Sequence, residues 1–94
     1  MNVRMNATAI NIVGMRMKAM IMGTKLRDWI ESLDNDERDF FYTDAGNLFT
    51  QYGVAGNLLQ RLVGAHIGSL EAFAGAISGN MALYMYFSEL TYGI

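Results

Sequence analysis

The sequence predicts an all-α fold, a small bundle of about four helices forming one domain over residues 1–94, and three observations carry that expectation. Apolar residues recur at three- and four-residue steps along most of the chain. Proline is absent, and glycine and Asx residues fall where those apolar runs stop. With 52% of its 94 residues apolar, the chain has material for one core and a surplus that a small domain cannot easily hide.

The first element is expected over residues 7–22, where Ile10, Val13, Met17, Met20 and Ile21 keep helical spacing. Met15, Met17, Met20 and Met22 also satisfy a two-residue period in pieces, so two short strands turning at Gly14 are the competing reading. Gly23-Thr24 then resembles a helix end followed by a new N-cap, after which Leu26, Trp29, Ile30 and Leu33 fall on one stripe. Asp34-Asn35-Asp36-Glu37 reads as the next helix start, because acids in a first turn sit favourably in the field of the helix dipole. Phe41, Ala45, Leu48, Phe49 and Tyr52 continue that helix to a stop at Gly53.

The C-terminal part is expected to form a long glycine-lined helix over about 58–85, with a break near residues 78–80 as the alternative. At 100° per residue, Leu59, Leu62, His66, Ile67, Leu70, Phe73, Ile77, Met81 and Tyr84 share a wide apolar face. Gly64, Gly68, Gly75 and Gly79 would line the opposite flank. Each interior glycine costs about 0.8–1 kcal/mol relative to alanine, so the spacing predicts a backbone packed closely along that flank.

The charges are divided along the chain. Residues 1–33 carry five basic against two acidic side chains, +3, and residues 34–94 carry two against seven, −5, which together give the net −2. Such a chain can pair head to tail or offer its acidic part to a basic partner. Arg16 and Lys18 interrupt the apolar amino-terminal stretch, against a secretory signal, and the Asn6-Ala7-Thr8 sequon carries no weight without one. A cytoplasmic location is the expectation.

Few residues support catalysis. There is no cysteine, so thiolate nucleophiles and thiolate metal sites are excluded. His66 and Glu71 are five residues apart and would not share a helix face as metal ligands, and His66 reads as a core histidine. The run from Asp34 to Ala45 begins like a calcium loop, but Arg38, Asp39 and Ala45 stand where a ligand, a glycine and a bidentate acid are needed. No phosphate-binding loop or nucleophile elbow occurs. The chain is therefore expected to be no enzyme and to need no cofactor or metal. The basic residues are too few and dispersed for a nucleic-acid surface.

The expected function is a protein-interaction module, an inhibitor, adaptor or regulator of the kind viruses and mobile elements encode, forming a homo-oligomer and binding a protein partner. The expected interface is Gly64, Gly68, Gly75 and Gly79, with Trp29 and the acidic patch Asp34, Asp36, Glu37 and Asp39 as partner-binding candidates. Two alternatives stand beside it. One is membrane association through residues 62–87, which hold Gly-x-x-x-Gly spacing. The other is a small-ligand site between helices of an oligomer, lined by Tyr42, Tyr52, Tyr84, Tyr86 and Tyr92.

Overall fold

A computed structural model describes residues 2–64 and 67–93, with side chains described from Gly14 onward. The chain is all-α, and its described residues form four helices arranged as a small bundle. They are α1 (Asn2–Ser32), α2 (Asn35–Gln51), α3 (Ile67–Ser78) and α4 (Met81–Gly93), and a short 3₁₀ turn, Gln60–Leu62, lies between α2 and α3. His66 lies outside the described residues.

α1 is one uninterrupted helix of 31 residues, about 46 Å long, so neither the strand pair nor the stop at Gly23-Thr24 is realised. Tertiary packing overrides the local signal. Gly23 is buried, and a Cβ built on it would stand 3.0 Å from Phe73 Cδ1 and 3.2 Å from Leu70 Cδ2. The glycine gives α3 room to lie close against α1, where a larger residue would press on the Phe73 and Leu70 side chains. Thr24, the expected N-cap, instead donates its hydroxyl to the Met20 carbonyl one turn back.

α2 begins where expected. Asp34 is its N-cap, with Oδ1 accepting from the Glu37 N–H at 2.8 Å while the Glu37 carboxylate accepts from the Asp34 N–H at 3.2 Å. This reciprocal arrangement satisfies two backbone donors at the helix end. The other end closes on Gly53, which takes φ +73°. Its N–H reaches the Thr50 carbonyl at 3.0 Å and the Val54 N–H reaches that of Phe49 at 2.9 Å, a double closure that favours glycine at the left-handed position.

The expected long C-terminal helix is divided twice. Gly64 has φ +96° in a turn after the 3₁₀ segment, and the chain breaks again at Gly79-Asn80, the alternative position at residues 78–80. Asn80 Oδ1 caps α4 by accepting from the Leu83 N–H at 3.1 Å. Each break resets the helical phase, so the single apolar face does not persist. Leu59, Leu62, Leu70, Phe73 and Ile77 are buried, but Ile67 and Met81 are exposed, and α4 buries Leu83, Phe87 and Thr91 instead.

The core joins all four helices. Phe87 is its centre, stacked on Phe49 of α2 at 5.3 Å and set edge-on to Phe73 of α3 at 5.5 Å. Leu26 and Ile30 of α1, with Leu59, Leu62, Ile77 and Leu83, complete a set of fully buried side chains. Each contributes about 1.5–3 kcal/mol relative to exposure. Gly46 and Gly56 bring the segment after α2 back onto that helix, because a Cβ on Gly46 would meet the Gly56 carbonyl oxygen at 3.2 Å.

Candidate functional site: an acid-rimmed apolar groove

The groove is built at the end of α1. That helix has no basic residue in its last turn, and Arg38 of α2 provides the missing charge from outside. Its Nε donates to the Ile30 carbonyl at 3.1 Å, and one terminal nitrogen donates to those of Glu31 and Leu33, both at 3.3 Å. A planar, forked cation suits three diverging carbonyls, and it fixes the angle at which α2 leaves α1. Trp29 and Phe41 then meet edge to face with centroids 5.0 Å apart.

This contact floors a groove of about 540 Å³ between α2 and α4, whose apolar walls are Leu33, Phe40, Tyr86 and Leu90. Phe40 is 76% exposed, an unusual position for a phenylalanine on a polar helix face. Asp36, Glu37 and Asp44 form the rim. Among the described residues the one ion pair is Arg27–Asp28, at 3.2 Å, so none of the three rim carboxylates is held in an ion pair there. The Tyr86 hydroxyl points at Asp44 Oδ2, 3.4 Å away. Burial first, and the Asp44 carboxylate second, push the Tyr86 phenol above its ordinary value, so it stays a neutral donor.

Three of the five partner-binding candidates, Trp29, Asp36 and Glu37, are therefore brought together. The other two are not. Asp34 is committed to capping α2, and the Glu37 N–H bond is the main cause of its carboxyl's depressed pKa. Asp39 faces a separate depression of about 420 Å³ with Tyr42, Gly46 and Gly56. Sequence reasoning missed Phe40, Asp44 and Leu90 as groove residues and named Tyr86 only for a small-ligand site. Phe40 alone gave a local sign, because it falls off the stripe that Phe41, Ala45 and Phe49 define.

The four glycines do not form one continuous flank. Gly64 and Gly79 lie in turns, and a Cβ on Gly68 or Gly75 would meet nothing within 4 Å. Within the chain, the close approach of two helices occurs at Gly23. A larger depression of about 590 Å³ beside Gly68 is walled, among the described residues, by Arg61, Val63, Ile67 and Ser69, none of them aromatic.

Among the described residues no three His, Cys, Asp or Glu side chains converge as metal ligands. No described helix is long and apolar enough to cross a membrane, and residues 62–87 are not a continuous span, since α3 has 12 residues and α4 has 13. The tyrosines named for a ligand site are dispersed, with Tyr42, Tyr84 and Tyr86 lining three different depressions. No family model, curated protein or solved structure matches the chain.

Proposed function

We propose that this chain is a non-enzymatic protein-interaction module, an inhibitor, adaptor or regulator, and that its groove between α2 and α4 receives a segment of a protein partner carrying apolar and basic residues. The supporting observation is the combination of an aromatic floor, an exposed Phe40 and a rim of three carboxylates that form no ion pair among the described residues. Apolar walls favour burial of a side chain or helix face, while the carboxylates favour lysine or arginine beside it and disfavour an acidic competitor. A cytoplasmic location belongs to the same reading.

Trp29 is the only tryptophan and lines the groove, so its emission reports occupancy. A synthetic amphipathic helix with leucines on one side and lysines at its edges is titrated into dilute protein. The reading requires a saturable change in emission that weakens with added salt and in the Asp36→Lys/Asp44→Lys variant. An emission change of equal affinity with a glutamate-edged peptide of the same apolar face would overturn it.

A further inference from the structure

The groove has a continuation along α1. Met17, Ile21, Lys25 and Trp29 follow one another at steps of four along α1, the spacing that forms a raised ridge on a helix surface, and Leu33 comes next in the series, one residue past the helix end. The ridge starts on exposed apolar residues, Met17 at 61% and Ile21 at 59%, and ends on Trp29 and Leu33 inside the groove. Its midpoint, Lys25, lies 5.5 Å from the centroid of the Tyr92 ring, itself 72% exposed.

The ridge is symmetric about Lys25, with two apolar residues on each side, and its electrostatics are opposite at its two ends. Arg16 and Lys18 flank Met17, both exposed and without an ion-pair partner among the described residues. Asp36, Glu37 and Asp44 border the Trp29–Leu33 end. A surface with apolar residues in mirrored positions and opposite charges at its two ends is complementary to itself after a two-fold rotation.

We propose that the occupant of the groove is a second copy of this chain, whose α1 lies antiparallel along the ridge. Met17 of each copy then packs against Leu33 of the other, and Ile21 against Trp29. Arg16 and Lys18 come beside the carboxylates of the opposite rim. The two Lys25 ammonium groups meet near the axis, and each keeps its contact with the Tyr92 ring of its own chain, which limits their repulsion. Reciprocal exchange fills both grooves in a closed dimer, whereas one-way donation would grow an open chain. The inference rests on the groove reading above and names its partner; a foreign partner would have to displace the second copy.

Sedimentation equilibrium from low micromolar to near-millimolar concentration tests it. The expected species is a dimer, twice the 10.5 kDa chain mass, dissociating on dilution. Arg16→Glu/Lys18→Glu and Asp36→Lys/Asp44→Lys should each weaken it on the order of tenfold at low salt, with helical circular dichroism retained. The chain carrying all four reversals should recover the dimer, an outcome that a loss of folding cannot imitate. A monomer at every concentration, whether or not it binds anionic vesicles or the lysine-edged peptide, would overturn the inference. So would a dimer indifferent to both pairs of reversals. A monomer that still binds the lysine-edged peptide at Trp29 would leave the groove reading standing, so the two failures are distinguishable.

Discussion

Two glycine-to-alanine substitutions separate the glycine that packs from the glycines that do not. Gly75 is interior to α3, and a Cβ there meets nothing within 4 Å, so Gly75→Ala should add the full helix preference of alanine, about 0.8–1 kcal/mol. For a domain of this size that raises the melting temperature by roughly 4–8 °C. Gly23→Ala gains the same preference but drives a methyl group to 3.0 Å from Phe73 Cδ1, and Phe73 is fully buried, so its ring would have to shift within the core. Overpacking costs about 1–3 kcal/mol, so this variant should be neutral at best and destabilised by as much as about 2 kcal/mol. Urea unfolding followed by circular dichroism, at one protein concentration for all three chains, measures both. Equal stabilisation by the two substitutions would refute the close contact of α1 with α3, and a loss from Gly75→Ala would show that the open flank of α3 is in fact covered.

Other consequences are local. Arg38→Lys keeps the charge but gathers its donors on one atom, which cannot take the separate positions of Nε and the terminal nitrogen, and should lower unfolding free energy by roughly 1–2 kcal/mol, read from the urea midpoint. Thr91 Oγ1 is buried with no hydrogen-bond partner among the described residues, so Thr91→Val should be neutral or stabilising by about 1 kcal/mol in the same assay; a clear loss would reveal a partner for that hydroxyl. The depressed pKa of Asp34 means that its contribution is complete above the unfolded value, near 3.8, and is lost as pH falls through the lower folded value. Asp34→Asn keeps a good cap but removes this dependence, so thermal melts in acid should fall less steeply with pH than those of the parent.

Short-range chemistry was legible in the sequence, and long-range geometry was not. The start of α2 follows from Asp34 and Glu37 and its end from Gly53, because every group involved lies within a few residues. The continuity of α1 through Gly23 depends on Leu70 and Phe73, which no local pattern connects to residue 23. The helical projection of residues 58–85 failed because it assumed one uninterrupted phase, while the left-handed Gly64 and the Asn80 cap each restart it. Gly68 and Gly75 do keep their common side on α3, but common side did not imply contact. At the candidate site, Trp29, Asp36 and Glu37 stand out as residue types, yet a groove needs opposing walls. Tyr86 and Leu90 come from a helix about fifty residues later, and only the packing of Phe87 on Phe49 brings them opposite Phe40.

The most direct test of the groove is a photo-reactive benzoylphenylalanine at Phe40, where exposure ensures that the probe leaves the fold intact. Irradiated in the lysate of its native host, this chain should form discrete adducts, with its own second copy or with a protein partner. The cross-linked segment should be apolar and carry basic residues, and the adducts should disappear when Asp36 and Asp44 are replaced by lysine. Diffuse labelling that the two lysines leave unchanged, or no adduct at all, would contradict the account.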